Sequence, residues 1–441
     1  MMSKKLSIFI VLLCLISINL VSNAQFDGVI VTITQNVNIR VAPDENAERL
    51  GTVRAGTTMK LDGRVESGTW VRGITQNGTV GWIVSGPTGL SLSQIIGLPI
   101  ISPDAPFTLS PPEGGAAPAS SSASAAPVVN TAPVRGFSYG GHIAGFDESA
   151  MNWMQYSGMT WVKKQWRYVD GQNPADAQGW IDAAHAYGFR ILIGVVGLNK
   201  YDLNNPGYFD RYASFVAGLA ALGADAIEVW NEPNIDHEWP EFQIDPARYT
   251  ELLRVSYTAI KNANPNTLVI SAAPAPTGAE SAFPGRVMND DNFLRGMAAA
   301  GAANYMDCIG AHYNEGILPP TATSGDPRGN SGYYTRYLPS MINVYYNAFR
   351  GRRQICFTEL GYLSPEGLGP LSPNFAWAEN VTVAQQAAWV DGAVSYAARS
   401  GRVRLVIIWN INFTNYGADP MAGYALIRPD GSCPACDALA R

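Results

Sequence analysis

Beyond residue 24 the sequence has no apolar run long enough to cross a bilayer, no cluster of basic residues, and few cysteines or histidines. Each shortage excludes something. Acidic residues outnumber basic ones, 36 to 30, and the resulting negative field repels phosphate backbones, so nucleic acid is not an expected partner. The histidines His142, His185, His237 and His312 show neither an HxH nor an HExxH spacing, which removes the usual zinc arrangements, and no metal is expected. No GxGxxG and no Gly-Lys-Ser/Thr loop is present, so no nucleotide cofactor is expected either. Apart from Cys14 in the N-terminal segment, only Cys308, Cys356, Cys433 and Cys436 occur. Four cysteines do not make a disulfide framework for a chain this size. Cys433-Pro434-Ala435-Cys436 is a lone CxxC with no strand before it, which speaks against a redox or zinc role.

The sequence does contain four compositional zones. Residues 1–24 open with Lys4 and Lys5, continue through an apolar run from Leu6 to Val21, and end in Ser22-Asn23-Ala24, small residues at the positions a signal peptidase reads before Gln25. The expectation is a cleaved signal peptide and a secreted, extracellular or envelope-associated protein, with no membrane attachment after cleavage. Residues 26–92 alternate apolar and polar side chains in short pieces punctuated by glycines, the pattern of a small all-β barrel. Residues 103–134 are Pro, Ala, Ser and Gly with almost no charge or bulk, too little to bury, and read as a linker. Residues 135–441 alternate strand-like runs (136–140, 160–166, 190–196, 226–230, 268–272, 308–311, 354–358 and 404–409) with helical patterns between them. Eight such repeats in about 300 residues fit a (β/α)8 TIM barrel, although an open doubly wound sheet has the same local pattern.

The first folded unit carries "NVNIRVAPDENAERLGTVRAGT" and "WVRGITQNGTVGWIVSG", with Trp70 and Trp82. These segments resemble bacterial SH3-like domains, and the resemblance implies a cell-wall or other surface ligand, against the plainer reading of a passive spacer.

In a parallel barrel, function collects where strands end. Three strand ends carry unusual polar residues: Glu228-Val229-Trp230-Asn231-Glu232-Pro233-Asn234 on the fourth strand, Ala311-His312-Tyr313-Asn314 on the sixth and Phe357-Thr358-Glu359-Leu360-Gly361-Tyr362 on the seventh. Cleaving a glycosidic bond with retention needs one protonated and one ionised carboxyl group about 5–5.5 Å apart. Glu232 and Glu359 lie at strand ends that face each other across a barrel mouth. Asn231 stands beside the first of them, placed to meet a sugar hydroxyl next to the reacting carbon. Glu228 shares parity with Glu232 and is expected to point inward as a structural ion-pair partner.

With those residues set out, "EVWNEPN" and "FTELGY" resemble the acid/base and nucleophile motifs of clan A glycoside hydrolases, and the similarity to cellulase-like and β-xylosidase-like members extends through 135–441. The resemblance implies Glu232 as acid/base, Glu359 as nucleophile and Asn231 as ligand of the 2-hydroxyl. It further implies His312 or Tyr313 near the nucleophile and Trp409 beneath the sugar. Cys433 and Cys436 fall where the family has other residues, and read as substitutions in a final helix. The family's arginine beside the nucleophile does not align: "KKQWR" offers Arg167, or a lysine in its place. Trp239, Trp377 and Phe375 sit in loops at the same face, where aromatic rings can stack on sugars, or simply pack the loops.

The expected function is a secreted retaining glycosidase acting on a β-linked glycan or oligosaccharide, without cofactor. The alternative is an inactive glycan-binding barrel held to a cell wall by the SH3-like unit. Gly136-Phe137-Ser138-Tyr139-Gly140 also matches the GxSxG of a serine hydrolase elbow, but an elbow needs an apolar strand before it, and the linker stands there instead.

Overall fold

The computed structural model describes residues 28–110 and 136–440, apart from 45–46, 67, 91–93, 96, 104 and 108. The signal peptide expected at 1–24 and most of the linker expected at 103–134 lie outside the described residues. The chain divides into two compact units.

The first unit is a six-stranded antiparallel sheet of β1 (Val29–Thr32), β2 (Val37–Arg40), β3 (Arg49–Val53), β4 (Thr58–Arg64), β5 (Trp70–Thr75) and β6 (Val80–Val84), in the order β1-β4-β5-β6-β2-β3. The period-two alternation does what it promises: Val31, Ile33, Val37, Ile39, Met59, Leu61 and Val71 turn inward to a common core. Arg72 lies over Trp82 and pairs with Asp62 at 2.6 Å. Residues beyond 92 still pack on this unit, with Ile100 bridging to Arg64 and Arg72 donating to the Ala105 carbonyl.

The second unit is a closed barrel of eight parallel strands: β7 (Ser138–His142), β8 (Trp161–Tyr168), β9 (Arg190–Gly197), β10 (Ala226–Val229), β11 (Leu268–Ser271), β12 (Cys308–Tyr313), β13 (Gln354–Leu360) and β14 (Val403–Ile408). Seven longer helices lie between them: α1 (Glu148–Tyr156), α2 (Gln178–Ala186), α3 (Tyr208–Ala221), α4 (Pro246–Ala263), α5 (Asp290–Ala299), α6 (Leu338–Ala348) and α7 (Val383–Ser400). Short α8 (Met421–Tyr424) and α9 (Pro434–Leu439) follow β14. This is the (β/α)8 architecture, and closure excludes the doubly wound sheet. Helix ends follow local chemistry. Asp245 caps α4 ahead of Pro246, and Thr382 and Gln385 form a capping box on α7.

The lumen is layered. Trp161, Leu192, Ala226, Leu268, Ile270, Cys308, Cys356, Leu405 and Ile407 make an apolar plug. Lys163, Glu228, His312 and Glu359 lie further along their strands and are all buried, forming a charged layer toward the C-terminal face. The cysteine expectation is corrected: all four described cysteines are paired. Cys308 and Cys356 join β12 to β13 across a 5.7 Å Cα separation, and Cys433 joins Cys436 at the start of α9. A short cysteine count hid the first bond because its partners become neighbours only through strand register, Cys356 opposite Gly310 and Cys308 opposite Gln354. Ser138 opens β7, at the opposite end of the barrel from the strand ends that carry Glu232 and Glu359, so there is no nucleophile elbow.

Candidate active site

The site is built on the end of β10. Two buried tyrosines complete the backbone hydrogen bonding where this strand stops. The hydroxyl of Tyr212 in α3 donates to the Val195 carbonyl at 2.7 Å and accepts from the Trp230 N–H at 3.1 Å. The hydroxyl of Tyr249 in α4 donates to the Val229 carbonyl at 2.9 Å and accepts from the Ala272 N–H at 2.5 Å. Trp230 then adopts φ 71°, a left-handed conformation that costs a bulky residue about 1–3 kcal/mol. Its ring is wedged against Tyr212 and Trp239, centroids at 5.8 and 5.6 Å. Gly197 leaves room for it, since a Cβ there would stand 2.7 Å from the ring. The turn carries Asn231 and Glu232 out of the strand line. Asn234 pins the chain just past Glu232: its amide donates to the carbonyls of Ala275 and Met288, each at 2.9 Å.

Glu232 and Glu359 converge on one imidazole. His312 Nδ1 stands 2.8 Å from Glu232 Oε1 and 3.9 Å from Glu359 Oε2. Asn314 Nδ2 donates to Glu359 Oε2 at 3.0 Å. Beneath, the Lys163 ammonium lies 2.9 Å from Glu228 Oε2 and 3.6 Å from Glu359 Oε1, and donates to the Thr358 carbonyl at 3.2 Å. Gly194 makes space for that pair, as a Cβ would come within 2.9 Å of Glu228 Oε2. The basic residue beside Glu359 is therefore Lys163; Arg167 lies 3.8 Å from Glu238 instead. Glu228 points inward to an ion pair.

The electrostatics follow from this packing. Burial works against a charge on His312, but Glu359 and the bond to Glu232 outweigh it and raise its pKa to about 9. Burial likewise opposes the charge on Lys163, and Glu228 with Glu359 raises its pKa above the ordinary value. His142 goes the other way: burial first, then Lys163 and Lys164, hold it well below the ordinary range, so it is neutral. Glu238 is raised to about 7 by burial and by the nearby charge of Glu232.

A cavity of about 270 Å³ opens over these groups, lined among others by Glu232, His312, Asn314, Phe375, Trp377 and Tyr424. A larger hollow near the C-terminal ends of α5 and α6 is lined by arginines and alanines with no carboxylate, and has nothing to do this chemistry with.

The sequence-derived residues sort clearly. Glu232, Glu359, Asn231 and His312 come together. Of His312 and Tyr313, His312 reaches both carboxylates. Tyr313 lines the cavity beside it, packs on Tyr362 at 5.9 Å, and turns its hydroxyl to the Arg336 carbonyl. Trp377 is half-buried on the cavity wall. Trp409 ends β14 with its ring 4.8 Å from His142 and 5.0 Å from Phe413, followed by a cis peptide to Asn410. Trp239 is corrected: it is fully buried, 5.6 Å from Trp230 and 6.3 Å from Tyr249, with its indole N–H on the Gln243 carbonyl, so it is a wedge and no sugar platform. The sequence reading did not find Glu238, Asn314 or His142 as members of the site. Asn314 stands in the polar strand-six end, but the sequence gives it no role; Glu238 sits in an aperiodic turn that gives no signal. Among the described residues, no group of side chains has the make-up of a metal site.

Residues 35–86 match the sequence profile of the Bacterial SH3 domain. A search of curated proteins finds no match. Among solved structures, the chain is similar to a GH128 endo-β-1,3-glucanase from Sorangium cellulosum (16% identity, 69% of this chain and 97% of that one, TM-score 0.45). It is also similar to an exo-β-1,4-mannosidase from Opitutaceae bacterium strain TAV5 (14%, 70% and 59%, 0.45) and to a GH5-4 broad-specificity endoglucanase from a Clostridium (12%, 68% and 86%, 0.47). At these identities the likeness does not extend to substrate.

Proposed function

We propose that the barrel is a retaining glycoside hydrolase acting on a β-linked glycan or oligosaccharide, with Glu359 as nucleophile and Glu232 as acid/base. The observation that carries this is the shared nitrogen. Both carboxylates reach His312 Nδ1, so their nearest oxygens are no further apart than 2.8 and 3.9 Å laid end to end. That limit lies at the bottom of the ~6.5–9.5 Å separation of inverting enzymes and admits the ~5–5.5 Å of retaining ones.

The groups divide the labour. The Lys163 ammonium and the Asn314 amide hold the two oxygens of Glu359, one each. One proton lies on the short bond between His312 and Glu232, and the pair delivers it through Glu232. In the first half, a Glu359 oxygen bonds to the anomeric carbon while the glycosidic C–O bond breaks and the leaving oxygen takes that proton. The ester formed has no charge, and Glu232 is left without the proton it has just delivered. In the second half it takes a proton from water, whose oxygen displaces Glu359 from the sugar. Asn231 holds the 2-hydroxyl, Trp409 lies under the sugar ring, and Trp377 borders it. The chain is exported after loss of residues 1–24, in keeping with four paired cysteines, and the SH3-like unit holds the enzyme near a cell-wall or surface ligand.

The test uses a panel of β-glycosides. Glu359→Ala abolishes turnover, and azide restores it with inverted product, because the anion enters the space the carboxylate left. Glu232→Gln slows poor leaving groups by roughly 10²–10⁴ and spares activated aryl glycosides. Unaltered activity in Glu359→Ala refutes the assignment. A wild-type chain that binds glycans and cleaves none is the inactive binding barrel.

A further inference from the structure

Glu238 is a buried carboxyl group that the mechanism above does not use. It lies in the turn after Glu232, held by its own N–H on the Ile235 carbonyl at 3.2 Å, and is 5% exposed. Its two oxygens grip the two neighbours that matter. Oε2 accepts from the backbone N–H of Glu232 at 2.7 Å, and Oε1 accepts from Asn231 Nδ2 at 3.0 Å. Asn231 Oδ1, at the other end of that amide, is buried without a partner. Charged groups face Glu238 from two elements: Arg167 of β8 at 3.8 Å, and Glu232, whose carboxylate is in turn bonded to His312 of β12.

Above its midpoint near 7 Glu238 is a carboxylate, which only accepts hydrogen bonds and so fixes which end of a neighbouring amide faces it. We propose that Glu238 is a positioning residue that locks the Asn231 amide with its NH2 on Glu238 Oε1 and leaves its oxygen without a partner of its own, making Asn231 a pure acceptor for the sugar's 2-hydroxyl. The inference rests on the glycosidase reading for its substrate, and on geometry alone for the clamp. It requires the 2-hydroxyl to donate its proton to Asn231 Oδ1, in a bond that tightens as the transition state forms. It also explains why a buried acid is kept beside Glu232 despite the repulsion.

Glu238→Gln is the decisive variant because its shape is unchanged. The Glu232 N–H demands an acceptor, so the Gln oxygen takes that place and its NH2 falls opposite Asn231. The Asn231 amide must then turn over. Using the 4-nitrophenyl β-glycoside turned over fastest and its 2-deoxy counterpart, the wild type should lose far more kcat on removal of the 2-hydroxyl than Glu238→Gln does, the penalty shrinking by roughly tenfold or more. Asn231→Ala should shrink it to the same extent, and the double variant no further. An equal loss on both substrates, with the 2-hydroxyl penalty intact, reduces Glu238 to a structural prop and overturns the proposal.

The second measurement does not depend on turnover. In protein labelled with 15N-asparagine, the Asn231 side-chain amide signal, assigned by its disappearance in Asn231→Ala, should move with pH about a midpoint near 7 and stay fixed in Glu238→Gln. A signal indifferent to both sinks the clamp, whereas a titrating signal in a protein that cleaves no β-glycoside leaves the clamp standing and removes the glycosidase reading.

Discussion

At the scale of single residues, the site is an arrangement of charges that stabilise one another. His312 shows how this couples to stability. Its pKa is raised from the ordinary 6.5 to about 9 in the folded protein, so the folded chain holds a proton that the unfolded chain releases. The stabilisation is complete below pH ~6.5 and is lost as the pH climbs through about 9. Urea unfolding at pH 6.5 and 9.5 should show wild type losing on the order of 2–3 kcal/mol more than His312→Asn, the comparison cancelling groups common to both. A parallel decline in the two proteins would mean that His312 is neutral in the fold. The main residues were legible in sequence because Asn-Glu-Pro and Thr-Glu-Leu stand directly at strand ends, where geometry follows from the strand itself. Glu238 was not legible, since a turn has no periodicity to say where a side chain points. Trp239 misled for a related reason: a tryptophan in a loop can as well fold back into the core as face solvent, and Trp230 gave it a surface to fold against.

At the scale of elements, the sequence fared best on type and extent. The strands starting at Arg190 and Ala226 begin where the periodicity puts them, and most differences are of a residue or two at the ends. Between β12 and β13 the chain makes a 3-10 turn at Tyr334–Arg336 and then a helix from Leu338, where Pro339 fits the first turn. What the pattern could not show is how β10 is terminated. Removing the Tyr249 hydroxyl leaves the Val229 carbonyl and the Ala272 N–H buried without this partner. Tyr249→Phe should therefore cost about 1–3 kcal/mol in chemical denaturation and lower kcat as well, because the same strand end aims Asn231 and Glu232. A stability loss with kcat unchanged would separate the strand end from the site.

At the scale of the molecule, every strand of the barrel comes from between Ser138 and Ile408, and the barrel closes without help from the first unit. A chain starting at Arg135 should therefore fold on its own and turn over small aryl glycosides at the full-length rate. If it unfolds or is inactive, the SH3-like unit is an integral part of the catalytic fold. Two folded units were readable from the change of pattern, glycine-punctuated alternation first and strand–helix alternation after it, whereas pairing of the cysteines was not, because it depends on which strands closure makes neighbours.

The bond between Cys308 and Cys356 has a consequence in time. Both sulfurs belong to fully buried residues in the apolar plug of the lumen, out of reach of any oxidant or reductant once the ring of strands is shut, and thiol exchange requires contact. Within the closed barrel the pair therefore keeps the redox state in which it was shut, and changes it only when the fold opens. An external reductant should accordingly break this bond at the pace of barrel opening, whatever its own concentration.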